Sequence, residues 1–495
     1  MCRSLGACVL SFIVGGAAQA ATLKPVAPEA CFVTPGSPAT IRWDVRSGPL
    51  AGLEYVVRDY AGKQVAAGQA KAAGADAIET TLNLSQGFFE IDFPVAKQRF
   101  GLVALPAWQG KKDPFFAIDG ALSWLVRDDA LREALVRVAA RSGIGMVRER
   151  LTWGAVHPAA DRWDWETRNR FDTLRRTYAK HGVEVLEMAH DGPGWMGRVA
   201  KYPQDLVAAA VSWQKIAAHW RPTWGALEIW NEPDISFGGD LPADQYVALA
   251  KAISYGLFGK TDVPLVGGVM AHCNRAYLDT AAENGLLECI DAFSFHTYGR
   301  AMEMENLVAK YRDWLAAHDS SGLGRYGYLP LWITECGRPW KKGTERPAEG
   351  QDAESALDIT MKGVEARACG IARYFAFVYP YYEENENNFG MMDKRGTPLR
   401  SMGAYAQMIR TLAGMGYVGD LKQTDPAIQR ARVFGDLTQT VAVVYTGKAD
   451  AGCKVRLGVP TLHLRGIDGR SLDPASDGAI PVPDGLTYVW LDPSQ

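Results

Sequence analysis

The chain has 495 residues, 47% of them hydrophobic and 22% charged, with a formal net charge of -3. That is enough apolar material for one large core and one or two small ones. Near-neutrality, with no long run of Lys or Arg, argues against nucleic acid or an anionic membrane surface as a partner, and no protein partner is indicated.

In chain order, residues 1–20 come first. Arg3 gives a positive start, Leu5 to Val14 an apolar centre and Ala18-Gln19-Ala20 a small-residue cleavage site. The segment reads as a signal peptide cut near Ala20, so the mature protein is expected to be secreted or periplasmic. The apolar centre is short for a membrane anchor, and no later segment has the length and apolarity to span a bilayer. Of eight cysteines, six lie beyond the leader, without metal-type spacing; Cys273 and Cys289 are the pair to expect if any bridge exists, with free thiols the alternative.

Residues 21–97 read as a small immunoglobulin-like β-sandwich. Leu53 to Val65 gives two strands around a turn at Ala61-Gly62, and Gly87 to Phe93 an alternating strand. From residue 98 to 414 the rhythm becomes β-α. Helical patterns at 129–140, 165–180, 206–220, 243–258, 276–284, 306–318 and 353–369 alternate with strands at 144–150, 183–188, 226–230, 264–268, 290–296, 329–335 and 371–378. With Phe100 to Leu105 taken as the first strand, the count reaches eight. Eight such units predict an α/β fold of the (β/α)8, or TIM, barrel type. An open doubly wound sheet is the alternative, and no Gly-rich phosphate loop supports it. Residues 415–495 turn β-like again, with short strands at 442–445, 454–457 and 462–466, and read as a C-terminal β-sandwich.

In such a barrel the active site lies at the carboxyl ends of the strands. The fourth strand ends in Trp230-Asn231-Glu232-Pro233 and the seventh in Ile333-Thr334-Glu335. Strands four and seven face each other across the barrel, so Glu232 and Glu335 approach one cavity. Two facing carboxylates are what glycosidic bond cleavage requires: one protonates the leaving oxygen, the other supports the oxocarbenium-like carbon. Repulsion and local burial can raise one pKa while the other group stays ionised. Carbohydrate clefts also use aromatic platforms, and Trp153, Trp195, Trp340, Phe377 and Tyr379 are the candidates. The loop Glu383 to Asn388 is dense in oxygen ligands but lacks an EF-hand pattern, and is expected to be an acidic loop at the cleft rim. Cys336, directly after Glu335, has no legible His-Asn or His-Asp context and is expected to pack. No cofactor or metal ligand cluster is legible.

Trp-Asn-Glu-Pro at strand four with Ile-Thr-Glu at strand seven resembles the clan A retaining (β/α)8 glycoside hydrolases. Ser294 to Tyr298 resembles the clan's His-x-Tyr, and Val147-Arg148 its arginine-bearing strand. Glu386 to Asp393, followed by Gly396-Thr-Pro, is similar to the segment after strand eight in family 39 and its biofilm-polysaccharide glycosidases. The resemblance implies Glu232 as general acid/base and Glu335 as nucleophile. It implies Asn231 on the sugar 2-hydroxyl, Tyr298 against the nucleophile, and His296 and Arg148 completing the polar floor. The expected activity is hydrolysis of a β-type O-glycosyl bond in a poly- or oligosaccharide, a bacterial exopolysaccharide or a plant cell-wall glycan. Two alternatives stand beside it: a non-catalytic polysaccharide-binding barrel of an export or biofilm system, and a metal-dependent hydrolase. The clan usually carries a Trp near the end of strand eight, where this chain has Phe and Tyr.

Overall fold

The computed structural model describes residues 22–47, 53–319, 325–422 and 425–492. The leader-like residues 1–20 lie outside them. Eight parallel strands close into a barrel: Phe116–Asp119, Met146–Thr152, Glu184–His190, Trp224–Ile229, Leu265–Met270, Ala292–Thr297, Leu331–Cys336 and Arg373–Ala376. Helices on the outside return the chain between strands, as in Asp129–Arg141, where Asp128 caps the backbone N–H groups of Ala130 and Leu131.

The first barrel strand is Phe116–Asp119, which corrects the expected Phe100 to Leu105. The earlier segment, Gln98–Ala104, instead pairs antiparallel with Gly87–Phe93 and parallel with Phe32–Val33. It completes a five-stranded sheet that lies beside a four-stranded one built on Pro38–Val45 and Ala77–Asn83. An apolar run does not declare which sheet it joins; here Gly101 decides, because the backbone carbonyl of Pro398 sits 1.8 Å from where a Cβ would be. The N-terminal sheets therefore run to Ala104. After the barrel, a six-stranded antiparallel sheet built around Thr440–Tyr445 and Leu486–Leu491 is accompanied by a two-stranded ribbon, Lys454–Val455 with Ile480–Pro481.

Buried polar groups tie the three parts together. Arg400, 1% exposed, meets Tyr60 O, Asp352, Glu349 and Glu90. Arg346 bridges Glu90 and Asp393. Asp468 of the C-terminal sheet accepts from the backbone N–H of Phe88. Buried charges persist only when paired in this way.

The barrel interior sets the height of the site. One apolar layer takes a side chain from each strand: Ala117, Met146, Leu186, Ala226, Val266, Ala292, Trp332 and Phe375. Side chains alternate along a strand, so the next inward positions are two residues on. They include Asp119, Arg148, Glu228, Ser294 and Thr334, all buried, beside Met188 and Phe377. The interior therefore changes from apolar to polar in one step toward the carboxyl ends. Among the described residues, no helix is long and apolar enough to cross a membrane.

Candidate active site

A cleft of about 350 Å³ opens above the polar layer. Its floor is organised by Arg148. The guanidinium donates to Glu228 (2.5 Å), Asp119 (2.8 Å), Glu335 (2.5 Å) and the Asn231 side-chain oxygen (2.8 Å). Ser294 donates to the other oxygen of Glu228 at 3.2 Å.

Glu335 would point outward if strand seven alternated strictly from Trp332. A register irregularity between Ile333 and Cys336 turns it inward, opposite His296. Three donors then converge on it: Arg148, Arg150 at 2.9 Å and the Tyr298 hydroxyl at 2.7 Å. Burial pushes its carboxyl up. The charges of His296, Arg148 and Arg150, with the Tyr298 hydrogen bond, outweigh that and hold the group down at about 2.

Glu232 reaches the same cleft through a strained strand end. Trp230 (φ 76°) and Glu232 (φ 43°) both take left-handed backbone, and the Glu232 N–H donates to Val269 O at 3.1 Å. Glu232 Oε1 lies 2.8 Å from His296 Nδ1, which lies 3.6 Å from Glu335 Oε2. One ligand atom from each of Glu232, His296 and Glu335 falls within 4.8 Å of the others. Burial pushes His296 down, and the two glutamates outweigh it and raise its pKa.

Of the expected site residues, Glu232, Glu335, Asn231, His296, Tyr298 and Arg148 come together here. The expected aromatic platforms mostly do not. Trp153 is fully buried against Trp213, its indole N–H on Ser212. Trp195 donates to His157 O and packs on that ring, away from the cleft. Trp340 is 3% exposed in a small sheet with Asn387–Asn388. Tyr379 is buried, its hydroxyl on Leu135 O. Only Phe377 lines the cleft, edge-on to Tyr298 and Phe389. Cys336 is buried and burial pushes its thiol up to about 11, so it stays protonated. The six cysteines of the described residues are free thiols.

The cleft walls come from residues the sequence did not single out: Trp124, Phe237, Tyr382 and Phe389, with His190 and Asp191 at the end of strand three. Most sit in the connections between strands, in short turns and helices or at a strand's last residue, where no periodicity points a side chain. The acidic segment Glu383–Asn388 forms a hairpin whose Glu384 lines the cleft. Burial, then Glu335 and Glu232, raise the Glu384 pKa. Asp119 escaped notice because the first strand was placed elsewhere. Arg150, two residues on from Arg148 and so on the same face of strand two, is a partner of Glu335 that no motif marks.

Residues 163–406 match the family described as the glycosyl hydrolase catalytic core. No curated protein matches the chain in sequence. The fold is similar to that of a family 39 glycoside hydrolase from the gut symbiont Bacteroides cellulosilyticus WH2. That match has a TM-score of 0.77 at 15% identity, over 95% of this chain and 100% of the other. It is also similar to a GH39 β-xylosidase from Caulobacter crescentus, at TM-score 0.53 and 18% identity over 78% of this chain and 98% of the other. The family match covers just under half of the chain and lies on the closed eight-stranded barrel, so the fold is a (β/α)8 barrel similar to the glycosyl hydrolase catalytic core and the chain is an enzyme that hydrolyses O-glycosyl bonds.

Proposed function

We propose that the enzyme cleaves a β-glycosidic bond of a poly- or oligosaccharide with retention of configuration, by double displacement. Glu335 attacks the anomeric carbon and forms a glycosyl ester while Glu232 gives its proton to the leaving oxygen. Glu232 then takes a proton from water, which attacks the same carbon and releases Glu335. The observation that carries this reading is the spacing of the two carboxylates, whose nearest oxygens lie within 4.8 Å. Retaining enzymes hold their carboxyl groups ~5–5.5 Å apart, and inverting ones leave room for a water at ~6.5–9.5 Å.

The surroundings support the division of labour. Glu335, held near 2, is an anion at any working pH and so is equipped to attack rather than to donate. Asn231 spends its oxygen on Arg148, which leaves its NH₂ group for a substrate hydroxyl. Tyr298, 43% exposed, keeps its hydroxyl on Glu335 and its ring in the cleft wall. Exopolysaccharide or plant cell-wall glycan as substrate goes with the secreted or periplasmic placement proposed from the leader-like residues 1–20. The similarity to a β-xylosidase makes aryl β-xylosides a first choice in a substrate panel. Proton NMR of an aryl glycoside during turnover tests the stereochemistry: the β anomer is expected first, and the α anomer first would overturn retention.

The spacing of Glu232, His296 and Glu335 also suits a divalent cation. Two guanidinium groups on Glu335 oppose one there, since they already neutralise its charge. Activity is accordingly expected to survive EDTA. Loss of activity in EDTA, restored by a divalent ion, would favour the metal-dependent reading.

A further inference from the structure

We propose that Arg150 and Asp119 form a positioning pair for the nucleophile, in which Arg150 supplies the charge that keeps Glu335 ionised and Asp119 fixes the direction from which Arg150 approaches. This rests on Glu335 being the nucleophile.

Arg148 cannot supply that charge alone. It is fully buried and is shared among three carboxylates, Asp119, Glu228 and Glu335. With one permanent cation among three buried anions, and His296, 3.6 Å from Glu335 Oε2, a cation only while protonated, desolvation and mutual repulsion would raise the Glu335 pKa. Arg150 is the second permanent cation. Its Nη2 donates to Glu335 Oε1 at 2.9 Å and its Nη1 to Asp119 Oδ1 at 2.9 Å. Asp119 is itself gripped from the other side by Arg148. The planar fork of arginine spans two carboxylates at once, which a lysine does not do.

A third surface holds the guanidinium. It lies 5.2 Å from the ring centroid of Trp124, which is 44% exposed in the cleft wall. Trp124 is held there by Glu149, the residue between the two arginines. Glu149 points out of the barrel and accepts from Leu122 N (2.8 Å), Ser123 N (3.2 Å) and the Ser123 hydroxyl (2.6 Å) at the start of the short helix Leu122–Leu125. Strand two thus builds the device from three consecutive residues, two facing in and one facing out.

The test is a carboxyl titration that needs no substrate. In protein carrying ¹³C-labelled glutamate, the Glu335 signal is assigned by its absence from E335Q and followed from pH 3 to 8. Glu335 should stay ionised throughout in the wild type and in Arg150→Lys, which keeps the charge. In Arg150→Gln it should titrate about one to three units higher. Asp119→Asn removes a neighbouring anion, so Glu335 should not move up. Its kcat should nevertheless fall about ten- to a hundredfold, with little change in KM, because Arg150 loses its anchor. A role confined to folding would leave the Glu335 titration unmoved. Glu335 titrating alike in wild type and Arg150→Gln overturns the inference, as does an unchanged kcat in Asp119→Asn. Failure of a covalent sugar label to reach Glu335 would instead overturn its assignment as nucleophile.

Discussion

Glu232 and Glu335 carry the same chemical group and sit in different company. Glu335 collects two guanidiniums and a phenol; Glu232 touches one imidazole. Glu335→Gln should therefore lower turnover by orders of magnitude while leaving oligosaccharide affinity close to that of the wild type, as read by calorimetry. A pure binding barrel would lose neither. The depressed Glu335 pKa also has a stability consequence. Its ordinary value is 4.5 and its folded value about 2, so its ionisation stabilises the fold fully above about pH 4.5 and loses that effect as pH falls toward 2. In denaturant melts, the advantage of wild type over Glu335→Gln should be largest above pH 4.5 and shrink steadily below it. An advantage that grew on acidification would contradict the charge environment described for this carboxyl.

At the scale of elements, strand tips and loops contribute differently. The strand-borne residues Arg148, Glu232, His296 and Glu335 were legible because a motif marked each strand end and period-two alternation supplied the face. The alternation was incomplete information even there: Glu335 faces inward through a register irregularity, and Glu232 through left-handed backbone. The aromatic walls were not legible. Trp153 and Tyr379 lie close to barrel strands in sequence and yet are swallowed by the packing outside the barrel, while Trp124 and Tyr382 arrive from connections with no period to read. The expected first strand differs from the observed one because two neighbouring apolar runs, Gln98–Ala104 and Phe116–Asp119, read alike and only their long-range pairing separates them. The hairpin at 383–388 leads to a prediction about substrate. Among the described residues lining the cleft, Arg150 is the single Lys or Arg side chain, and it is already paired, whereas Glu384 and Asp191 add negative charge. Like charges brought together at a binding surface cost several kcal/mol. Aryl β-glucuronides should thus have a kcat/KM at least about tenfold below matched neutral glycosides, about 1.4 kcal/mol, and Glu384→Gln should narrow the gap. Equal rates on both substrates would contradict this.

Across the whole molecule, the flanking sheets are fastened to the barrel by buried charge. Arg400, from the helix after strand eight, meets Tyr60 O and Glu90 of the N-terminal sheets as well as Asp352 and Glu349 of the barrel. Arg400→Met would leave Asp352 buried without its cation and take one of the cations from Glu90, and breaking a buried pair in this way typically costs about 3–5 kcal/mol. A clear drop in Tm with an unchanged KM is the expected result; a Tm within a degree of wild type would mean the sheets are held by apolar contact instead. The most direct test of the account is the mass of the peptide that carries the sugar after reaction with an activated 2-deoxy-2-fluoro glycoside. The account predicts a single covalent adduct on Glu335, abolished in Glu335→Gln. An adduct on any other residue, or turnover of the parent glycoside with no covalent adduct formed, would contradict it.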